Sequence, residues 1–170
     1  MNPMRNICVE KVTLNIGAGG PGEKLDKAMK LLNSITNLKA VQTSSKKRIP
    51  TWGVRPNLAI ACKVTVRGKK AEDLLRRLLQ AVDNKLPTSK FDNFGNFSFG
   101  IPEYIDIPDV PYDAGIGVIG LEVAATLERQ GFRIKRRSVK RSKIGRKHLL
   151  TTSESVDFIK NKFGVIVGEE

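Results

Sequence analysis

A single histidine and two cysteines in 170 residues leave little from which to build a metal centre or a catalytic triad. His148 has no partner that spacing nominates, Cys8 and Cys62 form no CxxC pair, and no paired-carboxylate motif is present. The residues thus predict no enzyme, no metal site and no cofactor. Cys8 and Cys62 each lie in an apolar, strand-like run, which reads as two buried thiols in a reducing compartment. No stretch approaches the ~20 consecutive apolar residues of a membrane span. Met1-Asn2-Pro3-Met4-Arg5 lacks the apolar core of a signal peptide, so a cytosolic location and no membrane partner are expected.

Acid is missing where base is dense. From Lys27 to Ala71 there are eleven Lys or Arg and no Asp or Glu, and Arg133 to Lys147 holds nine more, again with no acid. Between the two blocks, Asp92 to Glu128 carries seven acids and no base. The net charge of +13 disfavours a compact free monomer by self-repulsion and points to a polyanion as partner. Segregation in blocks suggests a nucleic-acid face and a separate acidic face. With 40% hydrophobic residues the chain can still bury a core, and its length suits one domain, residues 1–170.

Alternation of apolar and polar residues predicts strands over Cys8 to Ile16, Val41 to Ser45, Leu58 to Arg67, Phe97 to Ile101 and Leu121 to Leu127. Phe132 to Arg136 is expected to return antiparallel to the last of these. Helical spacing predicts Glu23 to Ile35, with Leu25, Ala28, Met29, Leu32 and Ile35 inward. It also predicts Lys69 to Leu86, and a last helix capped by Ser153 with Gly164 as its stop. Lys46 to Asn57, with Pro50, Gly53 and Pro56, reads as an exposed basic loop, and Ile105 to Gly117 as an irregular connection. Ser138 to His148 is too basic and too poor in apolar residues to fold by itself. The sum is an α+β fold: a single domain with a mainly antiparallel sheet, helices packed on one face and the other face exposed.

The exposed face follows from the same alternation. Val12, Leu14 and Ile16 point inward, so Lys11, Thr13 and Asn15 point out; Cys62, Val64 and Val66 point inward, so Lys63, Thr65 and Arg67 point out. If the two strands are neighbours, these six residues form a cationic, hydrogen-bonding platform for phosphates and 2′-hydroxyls.

Three motifs remain. Gly17 to Gly22 spells GxGxxG, the dinucleotide fingerprint, but the ribose-binding acid about 20 residues on is absent and Pro21 interrupts the turn. A turn whose backbone N–H groups approach a phosphate fits as well. Phe97 and Phe99 share one strand face and are expected in the core rather than stacked on bases. Trp52, between Lys46, Lys47, Arg48 and Arg55, could stack on a base or sugar. His148 is expected to face RNA or solvent. The charge pattern alone also fits a free-standing RNA-binding module.

Four segments read together resemble a known family. They are Lys11-Val12-Thr13-Leu14-Asn15-Ile16-Gly17-Ala18-Gly19, Val41-Gln42-Thr43-Ser44-Ser45-Lys46-Lys47, Ala59 to Gly68, and Phe91-Asp92 through Gly95-Asn96-Phe97-Ser98-Phe99-Gly100-Ile101. They resemble the universal large-subunit ribosomal protein L5 family. The basic continuation after Gly131-Phe132-Arg133 is similar to the archaeal and eukaryotic branch. The resemblance implies a structural role without catalysis: attaching 5S rRNA in the central protuberance of the large subunit. It implies 5S rRNA contacts at Lys11, Asn15, Gly17, Gln42, Thr43, Lys63 and Thr65, with the alternation adding Thr13 and Arg67. It implies that the loop 46–57 reaches P-site tRNA through Lys46, Lys47, Arg48, Trp52 and Arg55. The basic extension 133–148 would bind large-subunit rRNA through Arg133, Lys135, Arg136, Arg137, Lys140, Arg141, Lys143, Arg146 and Lys147, ordering only on that RNA. Neighbouring central-protuberance proteins and a small-subunit head protein complete the implied partners.

Overall fold

In the computed structural model, which describes residues 2–168, a five-stranded antiparallel sheet is backed by two helices. The elements run β1 (Ile7–Gly17), α1 (Glu23–Thr36), β2 (Val41–Ser44), β3 (Ala59–Arg67), α2 (Lys69–Gln80), β4 (Lys85–Pro87), β5 (Phe97–Ile101), β6 (Leu121–Arg129), α3 (Arg133–Arg136), α4 (Thr152–Phe163) and β7 (Ile166–Gly168). The sheet order is β2-β3-β1-β6-β5, which makes β1 the central strand. The expected α+β architecture is what forms.

Period-2 and period-3.6 patterns meet at one core. Val12, Leu14 and Ile16 of β1 and Cys62, Val64 and Val66 of β3 are buried beneath Leu25, Ala28, Leu31, Leu32 and Ile35 of α1. Leu74, Leu75, Leu78 and Leu79 of α2 complete that layer. Each fully buried leucine contributes about 2 kcal/mol of transfer free energy, so α2 is held by packing rather than by its own propensity. On the helix α1, Leu31 is fully buried and Met29 only half-buried, a small rotation of the expected stripe. Phe97 and Phe99 lie in the core, as their spacing indicates.

Five expectations are corrected. The second helix ends at Gln80, not Leu86. Asp83 and Asn84 adopt left-handed backbone angles, and Leu86 enters β4, which pairs in parallel with β7. The last helix is capped by Thr151, not Ser153: its side chain accepts from the Glu154 N–H while Glu154 reaches back to the Thr151 N–H. Phe132 to Arg136 does not return as a strand. Both sides of β6 are already taken by β1 and β5, and Gly131 with φ 92° turns the chain into α3. The basic extension is not without structure of its own. Arg136 anchors it to Glu10 and Glu128, the Ser142 N–H donates to the Ile134 carbonyl, and His148 Nε2 bonds the Gln130 carbonyl at 2.9 Å. His148 therefore fastens the chain, half-buried against Phe132, rather than facing solvent.

Gly95 sets where α4 docks. Its φ is +80°, and a Cβ there would stand 2.1 Å from Ser155 Oγ, which is wholly buried. Asp92 holds the turn by accepting from the Phe94 and Asn96 N–H groups, and Thr152 Oγ1 donates to the Asp92 carbonyl. Gly95→Ala should cost about 2–4 kcal/mol from strain plus overpacking and lower Tm by roughly 5–15 °C. Adding Ser155→Ala should restore part of that loss. A thermal melt in which the single variant matches the parent would contradict this account of the turn.

Candidate nucleic-acid interface

Strand pairing decides which side chains share the uncovered face. Across β1 and β3, Lys11 lies opposite Arg67, Thr13 opposite Thr65 and Asn15 opposite Lys63. Directly opposed residues point the same way, so the six side chains stand together on the face away from the helices. Gly17 lies opposite Ala61 at the end of the same row. On the edge strand, Val41 and Thr43 oppose Lys63 and Ala61 and join this face. Gln42 does not: it opposes Cys62, a core residue, and its amide reaches Met29 Sδ on α1. Its expected place beside Thr43 on the platform is corrected by that register, because neighbours along a strand point to opposite faces.

The platform also contains what the charge blocks concealed. β6 lies on the other side of β1 and brings Glu122 opposite Asn15, Ala124 opposite Thr13 and Thr126 opposite Lys11. Asn15 Nδ2 donates to Glu122 Oε2 at 3.1 Å. The face is thus graded, cationic over β3 and β1 and acidic at β6. Sequence order separates Glu122 from Asn15 by more than a hundred residues, and only the strand order brings them together.

A bulge shapes the far end. The β1–β6 register slips between Val9 and Lys11, so Glu10 is the extra residue and Val9, not Cys8, is buried. Glu10 accepts from Arg67 Nη1 at 3.0 Å and also pairs with Arg136, which contacts Glu128 Oε2 at 2.9 Å. Exposure separates these pairs from the one that ties β6 to α4. The Arg67 side chain is 55% exposed and can reach a phosphate, while Glu10, only 12% exposed, keeps Arg136 as a partner. The Arg129 side chain is 7% exposed and paired with Glu154, itself 41% exposed; removing Glu154 would strand the buried guanidinium. Arg129 is therefore structural and Arg67 is available.

Among the described residues, Lys11, Lys63 and the loop cations Lys46, Lys47, Arg48 and Arg55 make no ion pair. The loop is built, not slack. Ile49 and Val54 exchange two backbone hydrogen bonds, Pro50–Trp52 form a single 3-10 turn between them, and Ser45 pairs with Leu58 at the base. Trp52 is presented at its tip, 75% exposed. Of the extension residues, Arg136 is committed to Glu10 and Glu128, and Arg137 Nε donates to the Lys140 carbonyl. Arg133, Lys135, Lys140, Arg141, Lys143, Arg146 and Lys147 make no ion pair among the described residues.

The glycine turn offers less to a phosphate than its sequence promises. The Ala18 and Gly19 N–H groups both donate to the Ile60 carbonyl, so they are spent on holding the turn to β3. The strand that follows α1 is not a parallel neighbour of β1, which removes the βαβ setting a dinucleotide site requires. Burial raises the pKa of both cysteines, with the Glu128 carboxylate adding to the effect at Cys8. Both stay protonated near neutrality and are poor metal ligands or nucleophiles. Among the described residues no group of three His, Cys, Asp or Glu side chains is placed to hold a metal ion, and no helix is long and apolar enough to cross a membrane.

A family model described as "Ribosomal protein L5" matches residues 2–55, and the model of that ribosomal family's C-terminus matches residues 59–158. The two matches meet beside the basic loop, yet β1 from the first lies between β3 and β6 from the second, in one sheet. A protein named large ribosomal subunit protein uL5 from Nanoarchaeum equitans is 52% identical, over 96% of this chain and 97% of its own length. Proteins of the same name from Sulfurisphaera tokodaii and Nitrosopumilus maritimus are 46% and 42% identical, each over at least 96% of both chains.

The tether of the extension can be tested directly. Arg136→Ala should lower Tm by several degrees without unfolding the protein, since Glu10 and Glu128 are largely buried and Glu10 keeps Arg67. It should speed tryptic cleavage between Arg137 and Lys147 by roughly 3- to 10-fold, because local opening no longer breaks the Glu10 and Glu128 contacts. An unchanged cleavage rate would assign the tether to other contacts.

Proposed function

The chain belongs to the ribosomal protein L5 family, and from that premise we propose that its graded sheet face binds 5S rRNA. Membership makes it a structural, non-catalytic constituent of the large ribosomal subunit, in the cytoplasm with the ribosome. The observation that carries the finer reading is the register that sets Lys11, Thr13 and Asn15 against Arg67, Thr65 and Lys63 on the uncovered face. Amines and hydroxyls in two adjacent rows suit phosphates and 2′-hydroxyls along an RNA backbone, read by shape more than by sequence. Gly17 and Thr43 extend this surface, Thr43 with its hydroxyl buried, while Gln42, at the sheet edge on the helix side, lies off it. The extension, with eight cations free of ion pairs among the described residues, takes adjoining rRNA of the large subunit. The acidic connection 103–113 repels RNA and so faces proteins, neighbours in the central protuberance or the small-subunit head.

The loop 46–57 is assigned to P-site tRNA. Its small hairpin projects four cations and an exposed indole from the sheet edge, a combination that holds a phosphate backbone and stacks on a base. A free-standing RNA-binding module would carry the same cations; co-sedimentation with large subunits through a moderate-salt wash favours the ribosomal reading.

Lys63→Ala should weaken 5S rRNA binding by about 1–2 kcal/mol, the worth of one charge-assisted hydrogen bond. The slope of log affinity against log salt should fall by roughly one counterion. Equal affinity and slope for variant and parent in a filter-binding titration would rule the face out.

Deleting Ile49 to Arg55 removes the hairpin but leaves the Ser45–Leu58 pairing at its base. Binding to isolated 5S rRNA should persist, and retention of P-site tRNA on reconstituted ribosomes should weaken modestly. Loss of the 5S rRNA gel shift on deletion would make this loop a principal 5S rRNA anchor instead.

A further inference from the structure

The extension and the end of the sheet enclose a hollow of about 810 Å³, within the range of small-ligand clefts. Its floor is Glu10 and Glu128, each already paired with an arginine. Its walls are apolar, among them Phe132, Ile144 and Leu150. Lys11, Lys135, Arg141 and Lys143 also line it and make no ion pair among the described residues. Phe94 stands there too, 61% exposed, on a turn whose backbone is fixed by the Asp92 carboxylate. A rigid turn that holds a phenylalanine out into water has no packing purpose.

We propose that this hollow receives one unpaired ribonucleotide of the bound RNA, its base stacked on Phe94 and its phosphate held by the four free cations. The inference rests on the RNA-binding reading of the platform and adds a single-nucleotide site to it. Charge selects the occupant. With the two carboxylates already neutralised by Arg67 and Arg136, four unpaired cations remain, so an anion is drawn in and a basic peptide is repelled. Aromatic and apolar walls suit the faces of a splayed-out base, which RNA offers where it is not helical. Lys11 belongs both to this site and to the platform, so the nucleotide sits where the RNA strand leaves the sheet face.

The test uses the full chain, isotopically labelled, titrated with each of the four 5′-ribonucleoside monophosphates and, separately, with inorganic phosphate. Saturable amide shifts at Phe94, Phe132 and Ile144 with at least one nucleotide, absent in Phe94→Ala, support the site. Equal shifts with inorganic phosphate, or none with any nucleotide, overturn it. On 5S rRNA, Phe94→Ala should bind about tenfold more weakly with an unchanged salt slope, since no charge is lost. Phe94→Trp should restore the affinity. An unchanged affinity for Phe94→Ala overturns the proposal, as does saturable displacement of the nucleotides by an oligolysine peptide. Failure of the parent protein to bind 5S rRNA would instead sink the platform reading, and the nucleotide titration would still decide the hollow.

Discussion

The pairing of β1 with β3 is the constraint on which the rest depends. Thr13 must stand opposite Thr65, with Val12 opposite Val66 and Leu14 opposite Val64. A slip of one residue would turn three buried apolar side chains of β1 to water and bring Lys11, Thr13 and Asn15 under α1 and α2. Burying one unpaired lysine costs far more than a ladder bond yields. The packing that stabilises the core therefore also enforces the polar platform. No separate device is needed to keep the binding face in place, because the helices hold its reverse side.

Electrostatics then divides the cations by environment. A net charge of +13 gives an unfavourable self-energy that the free protein reduces where it can. It does so with Glu10, placed by a bulge between Arg67 and Arg136, and with Glu128 beside it. In these pairs the arginines are partly exposed while Glu10 and Glu128 are largely buried. A phosphate arriving at Arg67 replaces one anion by another, so little desolvation is added on binding. Arg129 and Glu154 behave oppositely: their pair is deep enough that exchange would leave an uncompensated charge, and it fixes α4 to β6.

What the sequence makes legible is what local periodicity encodes. β1, β3, β5, α1 and the outward row Lys11, Thr13, Asn15, Lys63, Thr65, Arg67 follow from alternation and helical spacing alone. Features that depend on which strands are neighbours do not. Glu122 beside Asn15, Gln42 on the helix side and the shared pairing of Arg67 and Arg136 with Glu10 all require the sheet order. The three-residue strands β4 and β7 are too short to show a period, and Asn84 before them looks like one more polar helix residue. The bulge at Glu10 interrupts an otherwise unbroken alternation without a glycine to mark it. Acidic and basic blocks that look segregated along the chain are interleaved on the sheet, because β6 inserts beside β1.

The extension shows where a compositional argument stops short. Nine cations in fifteen residues cannot fold by burial, and by that measure the segment should be unstructured when free. Yet it needs little burial of its own. α3 spans only four residues, His148 and Phe132 close the segment onto Gln130, and Arg136 spans two carboxylates that the sheet supplies. These contacts are few, against an ordering cost of about 1–2 kcal/mol per residue. They pin the segment at a few points without holding all of it rigidly. The same stretch can therefore stay tethered at Glu10 and Glu128 while its unpaired cations adjust to RNA phosphates. Pinning at a few points, with most cations unpaired, is what lets one stretch of chain serve both states.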